Sequence, residues 1–166
     1  MKFTKMHGAG NDYIYIEDFK NKITNPSKLS IEMSNRNFGV GSDGLILILK
    51  SKSSDFKMRM FNSDGSESAM CGNGIRCFAK YVYDHGLTGK EELDIETGGG
   101  IKHLVLKIRD KKVSSVKVDM GEPMLMREMI PMLGEPGMAV NETLHLPDGI
   151  NFEITALSMS NPHVVI

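Results

Sequence analysis

The run Ala69-Met70-Cys71-Gly72-Asn73-Gly74-Ile75-Arg76-Cys77-Phe78-Ala79-Lys80-Tyr81-Val82-Tyr83-Asp84-His85-Gly86 decides how the rest of the chain is read. From Ile75 to Asp84 the apolar residues Ile75, Phe78, Tyr81 and Val82 recur at helical spacing. Gly86 supplies a stop, and Gly72-Asn73-Gly74 opens the helix. Cys71 therefore faces the backbone N–H groups of a first turn, which have no partner within the helix. Those amides and the positive end of the helix dipole favour an anion, so they favour thiolate over thiol. The same amides can hold a substrate carboxylate. A free cysteine usually packs as a small hydrophobe. That is the reading for Cys77, inside the helix beside Phe78, whereas the Gly and Asn neighbours of Cys71 offer little apolar packing and much open backbone.

The 166 residues are 40% hydrophobic and 25% charged, the balance of a soluble globular chain large enough for a real core. Twenty basic against 21 acidic residues give a formal net charge of -1, and no basic block suggests nucleic acid or an anionic membrane. A small-molecule partner fits better. Met1-Lys2-Phe3-Thr4-Lys5 lacks the apolar core of a signal peptide, and no apolar run approaches the roughly 18 residues of a membrane span. A cytoplasmic location is expected, and two cysteines six positions apart on one helical segment suit a reducing compartment. Of the 13 Met residues, the five between Met124 and Met138 are expected to fill irregular core space.

Lys2 to Met6 and Tyr13 to Glu17 read as short strands around the loop His7-Gly8-Ala9-Gly10-Asn11-Asp12, which presents Asn11 at its tip. A helix is expected from about Leu29 to Asn35. Leu45 to Leu49 and Phe56 to Phe61 read as a hairpin, followed by a polar loop, Asn62 to Ser68, and then the Cys71 helix. Gly98-Gly99-Gly100 opens another strand, Ile101 to Ile108, which turns at Arg109 to Lys112 into Val113 to Met120. Strands outnumber helices and follow one another directly, which predicts an α+β fold with an antiparallel or mixed sheet. After Met120 the texture changes: Gly121-Glu122-Pro123 marks a boundary, a stretch rich in Pro, Gly and Met follows, and Asn151 to Ser158 resumes as a strand. The division is thus 1–120 and 121–166. The apolar close Pro162-His163-Val164-Val165-Ile166 suggests part of a longer polypeptide, since termini are usually solvated.

Gly39-Val40-Gly41-Ser42-Asp43-Gly44 matches the phosphate-binding pattern of dinucleotide folds, but in the wrong context. That fingerprint follows a strand and opens a helix. Here a helical pattern precedes it and Leu45-Ile46-Leu47-Ile48-Leu49 follows it, so a tight helix-to-strand turn explains the glycines, with Asp43 bonding backbone amides. The Cys71–Cys77 spacing fits no common zinc pattern, and His85 and His103 bear no regular relation to it.

With these residues in view, the chain resembles the diaminopimelate epimerase family, cofactor-independent isomerases of the bacterial lysine and peptidoglycan pathway. The resemblance rests on Lys5-Met6-His7-Gly8-Ala9-Gly10-Asn11-Asp12, Gly39 to Gly44, Phe61-Asn62-Ser63-Asp64-Gly65-Ser66 with Met70 to Gly74, and Ser158-Met159-Ser160-Asn161-Pro162-His163. It implies a mixed or antiparallel sheet wrapped around a central helix, in two similar domains in the complete protein. Residues 1–120 would be the first domain, and 121–166 a linker and the incomplete start of the second. Inverting an amino-acid α-carbon takes a proton from one face and returns one to the other, so two acid/base groups must flank it. In this family two cysteines do so without pyridoxal phosphate, metal or nucleotide, and Cys71 matches the first. Gly72 and Asn73 then supply donors to the substrate carboxylate, where charge develops, and Asn11, Asn62 and Asn161 are implied substrate-binding amides. Gly44 stands where some members place Gln, and Ser160 where Gly is frequent. His163 reads equally as an electrostatic assistant and as a structural histidine.

The second cysteine and a substrate-binding Glu-Arg pair are not in this chain, so 1–166 alone is expected to be inactive. The resemblance admits a homodimer of the complete enzyme. A proline or hydroxyproline racemase remains an alternative, although those enzymes typically carry His where Asn73 stands. Isomerases of the phenazine-biosynthesis type lack the cysteine. A non-catalytic amino-acid-binding fragment is the alternative from outside enzymology.

Overall fold

The computed structural model describes residues 1–159 and 161–166, and two compact units divide the chain, Met1–Asp119 and Met120–Ile166. In the first, strands β1 (Thr4–Gly8), β2 (Asn11–Glu17), β3 (Gly44–Leu49), β4 (Phe56–Asn62), β5 (Glu67–Ser68), β6 (Glu92–Thr97), β7 (Gly100–Arg109) and β8 (Lys112–Val118) form one mixed sheet. Its order is β1-β2-β3-β4-β6-β7-β8, with β5 paired to β4. β2 and β3 run parallel, as do β4 and β6, and the remaining pairs are antiparallel. Two helices complete the unit, α1 (Pro26–Ser34) and α2 (Gly72–Asp84).

The uninterrupted apolar run of β3 is buried along its whole length, as a strand covered on both faces requires. On one face Ile14, Ile16, Leu45, Leu47 and Phe61 pack with Leu29 and Met33 of α1. That helix begins at Asn25, whose side chain accepts from the Lys28 amide at 3.0 Å, and Pro26 occupies its first position. On the other face lies α2, whose buried Ile75, Phe78, Ala79, Tyr81 and Val82 confirm the helical spacing. Fully burying a side chain such as Ile75 or Phe78 stabilises the fold by roughly 1.5–3 kcal/mol. α2 packs against β1, β2, β7 and β8, so both edge strands of the sheet reach the same helix and the sheet curls around it. The expected α+β architecture is the one observed.

Three local readings are corrected. The loop expected from His7 to Asp12 is a two-residue turn at Ala9 and Gly10, both with positive φ (54° and 86°). Such a turn matches the twist of the flanking strands. Asn11 is therefore not at a loop tip but is the first residue of β2, opposite Gly8. β6 was not anticipated, because its outward residues Glu92, Asp94 and Glu96 are acidic. Its inward Leu93 and Ile95 are almost fully buried. The Asn62 to Ser68 loop is shorter than expected, since Asn62 ends β4 and Glu67–Ser68 pair back on it.

The second unit holds β9 (Glu142–His145), β10 (Asn151–Ser158) and β11 (Pro162–Val165), with β10 central and both neighbours antiparallel. A short 3-10 turn, Arg127–Met129, precedes them, and Arg127 pairs with Glu142. The core here is small: Ile130, Ala139 and Ala156, with Met132 against it. The methionines do not fill it as expected. Met124, Met126, Met129 and Met138 are all exposed, because three short strands provide too little interior to take them.

Candidate active site

Cys71 is the N-cap of α2, in extended conformation, and helical geometry begins at Gly72. Its Sγ accepts the Gly74 amide at 3.3 Å, and its carbonyl accepts the Ile75 amide at 2.9 Å. The amides of Gly72 and Asn73 are left with no partner inside the helix. Close packing explains Gly74 and Gly8. A Cβ on Gly74 would lie 2.7 Å from Ile46 Cδ1, and one on Gly8 would lie 3.0 Å from the Asn73 carbonyl oxygen. The Tyr15 hydroxyl donates to the Gly74 carbonyl at 2.9 Å and ties the first turn to β2.

Asn11 meets this turn from the sheet. The Cys71 thiol donates to Asn11 Oδ1 at 3.4 Å, while Asn11 Nδ2 donates to Asp43 Oδ2 at 2.7 Å. Asp43 Oδ2 also accepts the Asp12 amide at 2.9 Å, which is the backbone bonding expected of Asp43. Arg36 binds both Asp12 and Asp43, at 2.8 and 2.9 Å, and Lys5 approaches Asp12 at 3.0 Å. The Arg36 guanidinium, opposed by burial and helped by Lys5, holds the Asp12 carboxyl well below the usual carboxylate range.

Tyr13 belongs here too, and sequence reasoning missed it. Two residues after Asn11 on one strand, it shares the same face of the sheet, and that spacing was the available signal. The side chain is nearly fully buried. Burial, followed by the neighbouring Cys71 sulfur, pushes its phenol above the ordinary range. Tyr13 also explains Gly44: a Cβ there would lie 2.9 Å from the Tyr13 ring and collide with the Phe61 carbonyl.

The other site residues are placed less uniformly. Asn62 lies opposite Gly44, which lies opposite Tyr13, so Asn62 and Tyr13 share one row of the sheet. Its side chain donates to Ser66 Oγ at 2.9 Å. The Asn73 side-chain oxygen accepts from Arg76, which ties it along the helix. Asn161 belongs to the second unit, exposed in the turn between β10 and β11, with its Oδ1 3.2 Å from His163 Nε2. Ser160 lies outside the described residues. Cys77 is buried as expected, and burial pushes its thiol up. Among the described residues no three His, Cys, Asp or Glu side chains converge as a metal-binding set, and no helix is long and apolar enough to cross a membrane.

The sequence model of the diaminopimelate epimerase family matches residues 3–126. The chain belongs to that family. A diaminopimelate epimerase from Agathobacter rectalis is 52% identical over 172 residues, covering 100% of this chain and 60% of its own. One from Acetivibrio thermocellus is 53% identical over 165 residues, covering 99% and 59%. The chain thus spans about 60% of the length of the curated diaminopimelate epimerases it matches. Among solved structures, a probable proline racemase from Agrobacterium radiobacter aligns with 93% of this chain and 48% of its own, with TM-score 0.63 at 13% identity, a likeness of fold.

Proposed function

We propose that this chain contributes the first acid/base thiol and part of the substrate pocket of a cofactor-independent epimerase interconverting LL- and meso-diaminopimelate. The observation that carries the reading is the Cys71 sulfur at the N-cap of α2, donating to Asn11 and accepting from Gly74. A thiol that must act as base in one direction and acid in the other needs support in both forms. The Gly74 N–H stabilises the thiolate, and Asn11 Oδ1 accepts from the protonated form. The Gly72 and Asn73 amides would receive the substrate carboxylate, where negative charge accumulates as the α-proton leaves. Asn11, Asn62 and Asn161 would serve the polar ends of the substrate, each offering both a donor and an acceptor. Residues 1–120 form the first domain in this reading, and 121–166 a linker and the beginning of a second.

The proton leaves one face of the carbon for one thiol and arrives on the other from a second thiol. Cys77 cannot serve as that second group, because it is buried six residues along α2. At 1.5 Å per residue it lies roughly 9 Å along the helix axis, and about 120° around it. The 166-residue chain alone is therefore proposed to be inactive. The complete enzyme needs no pyridoxal phosphate, metal or nucleotide in this reading, acts on a small molecule, admits a homodimer, and works in the cytoplasm, a location that free Cys71 and Cys77 suit.

The test is to incubate 1–166, and a protein carrying it at the full length of its relatives, with LL-diaminopimelate in deuterated water. Meso product and α-deuterium are then measured. Full-length protein is expected to give both, Cys71→Ser to lose both, and 1–166 to give neither. Comparable turnover of lysine or proline, or a requirement for added pyridoxal phosphate, would overturn the reading.

A further inference from the structure

We propose that Asp43 is a positioning residue for the Cys71 thiol, acting through Asn11. A carboxylate can only accept hydrogen bonds. Asp43 Oδ2 meets the Asn11 side chain at 2.7 Å, so the end of the amide that faces it must be the NH2 group. The opposite end, Oδ1, is then fixed towards the sulfur, 3.4 Å away. A carboxamide without such a neighbour can present either end to a thiol. Asp43 removes that choice.

The carboxylate is itself held on several sides. Oδ2 also takes the Asp12 amide at 2.9 Å, Oδ1 takes Arg36 Nη2 at 2.9 Å, and the Asp43 amide donates to the Asp12 carbonyl at 2.8 Å. The chain therefore places a rigid acceptor behind Asn11, and Asn11 becomes a rigid acceptor beside Cys71. An oxygen in that position can only receive the S–H proton. It gives the protonated sulfur a defined direction and offsets the Gly74 amide, which favours the thiolate. Asp43, without touching the sulfur, sets the balance between its two forms. The other titratable groups around the sulfur are Tyr13 and Tyr15 of β2 and Cys77 of α2, with Asp12 and Arg36 behind Asp43.

The role rests on reading Cys71 as a proton-transferring thiol, and the experiment separates the two claims. Alkylation reports on the sulfur and isotope exchange on turnover, so either can fail while the other stands. On the 166-residue chain, the rate of Cys71 alkylation by iodoacetamide is followed against pH, with peptide mapping to isolate that residue. Asp43→Asn and Asn11→Ala are each expected to move the rate profile to lower pH by about half a unit, roughly a threefold change in thiolate on the rising limb. The double variant Asn11→Ala/Asp43→Asn is expected to move no further than Asn11→Ala alone. An equal shift from Asp43→Asn in both backgrounds would mean that its charge acts directly, and would overturn the role, as would no shift or a shift to higher pH. Should Asp43→Asn fail to fold, Asn11→Ala still tests the premise that Oδ1 faces the sulfur, and a shift to lower pH is expected. A move to higher pH would mean that the NH2 end faces the sulfur, and no shift that Asn11 does not bear on the thiol; either overturns the role.

Discussion

The two ends of α2 close their backbones in opposite ways. At the C-terminal end every step is paired within the chain: His85 N–H to the Tyr81 carbonyl at 3.0 Å, Gly86 to Tyr83 at 2.9 Å, and Leu87 to Val82 at 2.9 Å. Gly86 takes the positive φ (71°) that such a closure needs. Lys80 binds Asp84 at 2.8 Å, and the His85 ring stacks on Tyr81 at 3.9 Å between centroids. At the N-terminal end the Gly74 amide is capped by a sulfur rather than the usual oxygen. The Gly72 and Asn73 amides have no partner within the helix. In the proposed reading one helix thus carries stability at one end and chemistry at the other, and its middle packs into the curled sheet.

The largest effect is expected at that anchor. Phe78 is fully buried and packs edge-on against Phe56 at 6.2 Å between centroids. Phe78→Ala should cost about 3–5 kcal/mol, read by chemical denaturation of the 166-residue chain. A cost below about 1 kcal/mol would show that the sheet does not depend on the helix. Next is Tyr15→Phe, which removes the hydroxyl holding the Gly74 carbonyl. A loss of about 1 kcal/mol is expected, with hydrogen exchange rising at Gly74 and Ile75 more than at His85 and Gly86. Equal rises at both ends would erase the contrast between them.

Much of this contrast was legible in the sequence, because glycine marks both ends of α2 and the apolar spacing marks its face. The apolar run Leu45 to Leu49 likewise announced a strand in a hairpin with Phe56 to Phe61, which is the pairing observed. Other features were hidden for physical reasons. Ala9 adopts a positive φ that its residue type does not advertise, which hid the tight turn and misplaced Asn11. The acidic outer face of β6 masked Leu93 and Ile95. Tyr13 looked like one aromatic of an ordinary strand, and only its neighbours across the fold make it part of the Cys71 surroundings. The exposed methionines of the second unit follow from how little core its strands enclose, a quantity that composition does not contain.

A smaller effect lies in the ion cluster behind Asn11. Asp12 is held below the usual carboxylate range by Arg36, so its contribution is present above about pH 4 and is lost as the pH falls below that. Asp12→Asn should cost about 1 kcal/mol at pH 7, given how exposed Arg36 and Lys5 are. The difference from the unsubstituted chain should shrink between pH 4 and pH 2. A difference that stays constant over that range would assign the loss to packing rather than charge.

The most direct measurement compares the two thiols of the same helix. The folded 166-residue chain is treated with limiting iodoacetamide near neutral pH, and the labelled peptides are mapped over time. Cys71, half-buried at the helix N-cap, is expected to be labelled about tenfold or more faster than Cys77, which is 7% exposed and whose thiol is pushed up by burial. Equal labelling, or Cys77 labelled first while the chain remains folded, would contradict the assignment of chemistry to the open end of α2.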